Sequence, residues 1–388
     1  MTNTVIVGAG LAGLRAAQRL RETGTCELIT IVGDEKHRPY NRPPLSKQLL
    51  AGTMSAMECE FDTAADDFEW ILGNAATALD VDKRRLHLTD GEIGYDKLII
   101  ATGRGARSLP GLPKMDGFHV LRGLDDAVAL HSAAQHANRV VIIGGGFIGC
   151  EVASSLRVNG VDSVTIVERA ATLMPLLGPD IGRFAERLHR DHGVQIHCNT
   201  SVTEFRGANR VEQVELDNGK VLDADLVLLS LGSVPNTGWL SGSGLELDQG
   251  SVVCDEFCHA SGNPDIVAVG DVASWTHRGV GQRVRIEHWS NAADMGAAAA
   301  ENLFAGVGNK TPYSPVPTFW TDQYDVHFKA AGFVTMADTF VPVDTGAEGK
   351  WNWDGLGETG LVAGVTANDN KAFLKYRRTL AGAGTKPS

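Results

Sequence analysis

Three glycines, Gly8, Gly10 and Gly13, follow the apolar run TVIV and lead straight into LAGLRAAQRLRETG. The spacing has a mechanical reading. The first glycine permits a tight strand-to-helix turn, the second lets backbone approach a pyrophosphate, and the third lets helix pack against strand. The phosphates would lie at the positive end of the helix, whose first residues are Leu11 and Ala12. Leu11, Leu14 and Leu20 share a face, arginines take the other, and Gly24 marks the stop. A second strand, ELITIVGDE, ends in Asp34 and Glu35. A carboxylate about 20 residues beyond such glycines is the acceptor a ribose hydroxyl pair needs.

The pattern recurs at residues 140–149, VVIIGGGFIG, with Gly144, Gly146 and Gly149 at the same spacing and Phe147 and Ile148 inside it. A helix bearing Glu151 on its first turn follows, then the strand SVTIVER with a carboxylate at Glu168. Two such units predict two dinucleotides on one chain.

The elements that must position these groups fit a chain of 388 residues, too long for one core and suited to two or three domains. With 43% hydrophobic residues and 45 glycines, the composition is that of a soluble globular protein rich in tight turns. No apolar run approaches the roughly 20 residues of a membrane span, and the first strand begins too early for a signal peptide, so a cytoplasmic protein without membrane association is expected. The net charge of −12 argues against nucleic acid as a partner. Six cysteines, at 26, 59, 150, 198, 254 and 258, form no CxxC pair and no zinc-like cluster with histidine, so no metal is expected.

Along residues 39–50, PYNRPPLSKQLL, prolines fix an extended entry and then open a helix, placing Arg42 and Lys47 around a rigid corner. ALDVD, RRLHLTDG and YDKLIIATG read as a meander ending in the small-residue turn Ala101, Thr102, Gly103. Prolines and glycines between Leu109 and Leu121 read as a crossing into a second domain, which holds VVIIGGGFIG and a three-strand stretch, VQIHCN, RVEQVELDNG and VLDADLVLLSLG, ending near Gly232. DIVAVGDVA then supplies a buried strand ending at Asp271, and Glu287, His288 and Trp289 precede a small-residue helix over 292–304. After a proline-rich linker, the cluster Phe319, Trp320, Tyr324 opens a run of short alternating strands, an antiparallel sheet closed by a helix at NDNKAFLKYRRTL, with GAGTKPS as a disordered tail.

The first glycine turn, RPPLSK, ATG at 101–103, the second glycine turn and VGDVA at 269–273 occur in this order. In that order and in the RPPLSK segment the chain resembles the NADH-dependent ferredoxin and rubredoxin reductases of bacterial oxygenase systems, and more distantly the apoptosis-inducing factors. The resemblance implies an α/β fold with two Rossmann-like dinucleotide-binding domains, as in glutathione reductase, plus a C-terminal α+β domain with an antiparallel sheet. It places an FAD domain at 1–108 and 232–308, an NAD domain at 109–231, and a C-terminal interface domain at 309–388.

By that resemblance FAD takes the first glycine turn with Asp34, Glu35, Arg42, Lys47, Val81, Ala101, Thr102, Gly103 and Arg122. Asp271 would hold the ribityl chain, and Glu287, His288, Trp289 and Trp320 would lie by the flavin ring. NADH takes the second glycine turn with Gly232, Glu151 holding the carboxamide, and Glu168 accepting both ribose hydroxyls and repelling the extra phosphate of NADPH. Lys47, Glu151 and Trp320 then lie near the two rings, and no side chain acts as an acid-base catalyst. Disulfide reductases of this superfamily carry a cysteine pair after the first unit, and peroxidases carry a single redox cysteine where Lys47 stands here. Neither is present, so thiol chemistry is not expected.

The implied activity is NADH-to-flavin hydride transfer followed by single-electron delivery to a two-iron two-sulfur ferredoxin serving an oxygenase, by a monomer or weak dimer. Delivery to rubredoxin or oxygen is one alternative, and an NADH-sensing interaction protein is another. Ferredoxins are typically acidic, so a locally basic face is needed. Residues 350–388 carry Lys350, Lys371, Lys375, Arg377, Arg378 and Lys386 against Asp354, Glu358 and Asp369, and Lys375, Arg377 and Arg378 are the first docking candidates, followed by Arg283, Arg285 and Lys329.

Overall fold

The structure is a computed structural model that describes residues 2–64 and 66–383. Its first sheet is five parallel strands in the order Ile266–Ala268, Lys97–Ile100, Asn3–Val7, Leu28–Gly33, Glu69–Leu72. Its strand interiors, Ile6, Ile31, Ile99 and Val267 among them, are wholly buried, as a parallel sheet covered on both faces requires. Register does the functional work. Val7 pairs with Val32 and with Ile100, and Ile100 pairs with Ala268, so the four strands finish level. The Gly8 turn, Asp34 and Glu35, residues 101–103 and Asp271 therefore emerge at one carboxyl edge, where α/β sheets bind ligands.

The second sheet repeats the design with strands Gln195–His197, Ser163–Val167, Arg139–Ile143, Leu226–Leu229 and Phe118–His119, all parallel. Ile143 pairs with Val167 and Leu229, bringing the Gly144 turn, Glu168 and Gly232 to a second such edge. The chain crosses between the two sheets twice, and the crossings pair as an antiparallel ribbon, Arg104–Ala106 with Ser233–Pro235. A five-stranded antiparallel sheet runs from Thr318 to Ala367 in the order Thr318–Gln323, Val326–Gly332, Gly360–Ala367, Trp351–Gly357, Thr339–Val343, and the helix Asn370–Ala383 packs on it. Among the described residues no helix is long and apolar enough to cross a membrane.

The expected first helix is Leu11–Thr23, ended by Gly24 in the left-handed region at φ 63°. Its buried face is wider than the leucine stripe, taking in Ala12, Ala16 and Ala17, because the helix Trp289–Phe304 lies against it so closely that a Cβ on Gly296 would meet the Ala12 carbonyl oxygen at 2.4 Å.

Five readings need correction. YDKLII is no part of the meander: Lys97–Ile100 is a central parallel strand, and the antiparallel trio is Ala76–Asp80, Arg85–Leu88 and Glu92–Gly94. Likewise VQIH and LVLL belong to the second parallel sheet, and the three-stranded unit is Val202–Arg206, Gln213–Leu216 and Val221–Asp223. The helix opened by the prolines is a single 3-10 turn, Pro43–Ser46, because Lys47 leaves helical geometry at φ −123°, ψ −99°. Trp289 begins its helix instead of preceding it. The last helix continues through Ala383, and the remainder of the expected disordered tail lies outside the described residues.

Candidate functional site

The two glycine turns are built alike. A Cβ on Gly8 would lie 2.2 Å from the Ala101 carbonyl oxygen, and one on Gly13 would lie 2.1 Å from the Gly8 carbonyl oxygen. Gly144 meets Ser230 at 2.2 Å and Gly149 meets Gly144 at 2.1 Å in the same way. A Cβ added at Gly10 or Gly146 would meet nothing within 4 Å. Packing therefore demands the outer glycines, while each middle glycine faces open space at a helix N-terminus. Open space at a helix N-terminus, where the first backbone N–H groups lack intrahelical partners, fits the diphosphate of a dinucleotide, and both turns offer it.

Around the first turn, Glu35 accepts from Tyr40 at 2.6 Å and from Arg42 at 2.8 Å, whereas Asp34 is exposed and accepts the Glu35 N–H at 3.1 Å. Arg42 also donates to the Arg122 carbonyl at 2.6 Å, and Arg122 pairs with Asp271 at 3.0 Å. Burial pushes the Asp271 carboxyl above its ordinary range, with Arg122 pulling the other way. Thr102 donates to the Asn236 carbonyl and so ties residues 101–103 to the second crossing. Gly103 has open space around it, and Val81 packs at the rim of the core beneath.

Arg104, which the sequence did not single out, is 7% exposed and holds Ser233 at 2.7 Å and Glu287 at 3.0 Å. Nothing in its local sequence marks it, because its partners lie more than 120 residues away. His288 is tilted against Phe319 at 4.9 Å, and burial depresses its pKa to about 4. It is therefore neutral at physiological pH. Trp289 and Trp320 meet edge to face at 6.1 Å, each more than a third exposed.

At the second turn, Glu168 accepts from the Gly145 N–H at 2.6 Å and the Ala170 N–H at 2.7 Å. These bonds fix the carboxylate beside the glycine turn, in a cleft of about 540 Å³ walled by Leu109, Pro110, Arg169 and Thr203. Gly232, with φ 82°, and Ile148, exposed at the helix start, stand at the same edge. Phe147 tilts onto Phe319 at 5.0 Å.

Glu151 departs from its reading. It is the fifth residue of the helix Phe147–Val158 rather than a first-turn residue. Its carboxylate, 6% exposed, turns to Lys47 at 2.8 Å, Ser46 at 2.5 Å and Thr321 at 2.7 Å. Lys47 and Glu151 are thus brought together with Ser46 and Thr321, which the sequence did not single out, while Trp320 lines the cleft on the other face of its strand. No signal in TFWTDQ marks Thr321, because apolar and polar residues do not alternate there: the inward face carries the polar Thr321 and Gln323 while Trp320 is exposed.

All six cysteines are free, and burial raises the thiol pKa of Cys59, Cys150, Cys198, Cys254 and Cys258, which disfavours thiolate chemistry. A second cleft, of about 770 Å³, opens beside Trp320 between Lys329, Phe373 and Arg377. Arg283 and Arg285 are engaged with carboxylates, Asp248 and Glu287 respectively.

Residues 2–296 match the family described as pyridine nucleotide-disulphide oxidoreductase, and residues 318–388 match the reductase C-terminal family. The chain is 37% identical to rhodocoxin reductase of Rhodococcus erythropolis, covering 97% of this chain and 89% of the relative. It is 36% identical to the ferredoxin–NAD(+) reductase subunit of the benzene 1,2-dioxygenase system of Pseudomonas putida, covering 88% and 83%. Superposed on the reductase in the covalent putidaredoxin reductase–putidaredoxin complex, it gives a TM-score of 0.92 at 33% identity, covering 98% of this chain and 93% of that one.

Proposed function

From the premise that the chain belongs to the pyridine nucleotide-disulphide oxidoreductase family and carries a reductase C-terminal domain, we propose that it is an FAD-dependent NADH:ferredoxin reductase supplying electrons to an oxygenase. The observation that carries this reading is the pair of glycine turns, each with an open middle glycine, flanking a buried Lys47–Glu151 pair where no cysteine stands. Residues 1–108 with 232–308 hold FAD, 109–231 hold NADH, and 309–388 face the partner. When bound, FAD would supply the exchange between a two-electron hydride donor, NADH, and a one-electron acceptor, the iron-sulfur centre of the ferredoxin.

The side chains bind and orient. Amides around Gly10 and Gly146 would receive the two diphosphates, with Arg42 and Arg122 beside the first. Asp271 would accept from the ribityl chain and Glu168 from the adenosine ribose of NADH. Phe147 and Phe319, with the His288 ring against Phe319, would shield the ring site from water. Lys47 places a positive charge at the ring site. The protein works in the cytoplasm as a monomer or weak dimer; among the described residues no helix is long and apolar enough to cross a membrane.

The test is an anaerobic NADH titration of the flavin spectrum followed by addition of an oxidised two-iron ferredoxin. Bleaching by one equivalent of NADH and recovery on adding ferredoxin are expected. A chain that binds no FAD, or a reduced flavin that ferredoxin does not reoxidise, would refute the reading.

A further inference from the structure

The strand Thr318–Gln323 has two unlike faces. Phe319, Thr321 and Gln323 turn toward the second glycine unit, where they meet Phe147 at 5.0 Å, Glu151 at 2.7 Å and His189 at 3.0 Å. Thr318, Trp320 and Asp322 line the open cleft on the other side, which Phe319 also borders. Alternation along a strand makes this division rigid, and the fully buried, β-branched Thr321 has little rotamer freedom with which to leave. Its hydroxyl donates to Glu151 Oε1, while Ser46 and Lys47 donate to Oε2. Three remote segments thus converge on one carboxylate.

We propose that Thr321 is a positioning residue for electron transfer: by completing the donor set of Glu151 it keeps the Lys47–Glu151 pair electrically balanced and so sets the electron affinity of the flavin beside it. This rests on the reading of the ring site as flavin-binding.

The argument is one of charge. A carboxylate out of water that loses a hydrogen-bond donor shifts toward its neutral form. Protonated Glu151 would leave the ammonium of Lys47 uncompensated, and a bare positive charge at short range favours the electron-rich reduced flavin. The neighbouring titratable groups do not mask this effect. The Cys150 thiol, on the same helix, is pushed up by burial and stays neutral. His189, at the far side of Gln323, is depressed to about 4 by burial. Glu168 is tied to two backbone amides at the turn, and Asp322 pairs with His327 on the opposite face of the strand.

The experiment measures the flavin midpoint potential by dye equilibration from mildly alkaline to mildly acidic pH. Thr321→Val keeps the shape and removes the hydroxyl, and Thr321→Ser restores it. The valine variant should match the unmodified protein at the alkaline end and shift positive increasingly as pH falls, while the serine variant tracks the unmodified protein throughout. A valine curve parallel to the unmodified one at every pH, or a serine variant displaced as far as valine, overturns the role. Should Thr321→Val not fold, Ser46→Ala removes the other hydroxyl from the same carboxylate and is expected to shift the potential with the same sign, and an unmoved potential overturns the role there too. Flavin content separates the two levels of inference. A chain without FAD refutes the flavin site itself, whereas bound FAD with unmoved potentials refutes only Thr321.

Discussion

Charge reversal at Arg377 should weaken ferredoxin turnover without touching flavin reduction. The helix Asn370–Ala383 carries Lys371, Lys375, Arg377 and Arg378, all exposed, and no carboxylate. Helical spacing separates them, because residues three and four apart share a face. Asn370, Phe373 and Arg377 form the stripe that lines the 770 Å³ cleft with Trp320 and Lys329, whereas Lys371, Lys375 and Arg378 form another. Arg377 is therefore the cation of this helix that lines the cleft, beside Lys329, which stands opposite Trp320 in the strand pair, and the grouping of Lys375 with Arg377 and Arg378 does not describe one face.

An exposed ion pair contributes about 0.2–1 kcal/mol, and reversal replaces the attraction by a comparable repulsion, so Arg377→Glu should cost about 0.4–2 kcal/mol, or about 2- to 30-fold in the KM for ferredoxin at low salt. Because the screening length falls from about 10 Å at 0.1 M to about 3 Å at 1 M, the ratio should approach unity in high salt. Steady-state reduction of ferredoxin across a salt series, beside stopped-flow reduction of the flavin by NADH, reads both arms. Reversal of Lys371, Lys375 and Arg378 together should act mainly on the association rate. The reasoning fails if Arg377→Glu leaves the KM unmoved while the triple reversal raises it, or if flavin reduction slows in step.

The middle and outer glycines should separate binding from folding. Gly10→Ala is expected to fold and lose flavin affinity, whereas Gly13→Ala, whose Cβ would lie 2.1 Å from a carbonyl oxygen, should lower the melting temperature of the flavin-free protein; equal melting losses in both would contradict the assignment. NADH should be used far better than NADPH, and Glu168→Ala should narrow the gap; equal kcat/KM for both nucleotides in the unmodified protein is the outcome that refutes it. Replacing all six cysteines by alanine should leave flavin reduction within about twofold in protein that retains FAD, since the thiols are not built as thiolates; loss of that step would overturn the claim. His189, held by Gln323 and Tyr324, has its pKa lowered by burial from 6.5 to about 4. The unfolded chain therefore takes up a proton that the fold refuses, and stability on the order of 3 kcal/mol is lost as pH falls from about 6.5 to 4. His189→Gln should flatten that limb in urea titrations, and an unchanged acid limb would remove His189 as its cause.

What the sequence determined by itself was local. Gly8, Gly10 and Gly13 and their repeat 136 residues later specify a strand, a turn and a helix within a few bonds, and their geometry is nearly context-free. The same holds for the Gly24 stop and for the antiparallel C-terminal sheet, whose alternation is written in short runs. Sheet membership was not legible. YDKLII and LVLL are apolar runs that suit a meander or a buried parallel strand equally well, and only the neighbours they find decide. The cluster around Glu151 belonged wholly to tertiary structure. Lys47, Glu151 and Thr321 stand 104 and 170 residues apart along the chain and meet within 3 Å, because two parallel sheets and a C-terminal strand converge there. No local pattern encodes that convergence, since a carboxylate's partners in a dry interior are set by which segments the hydrophobic packing brings together.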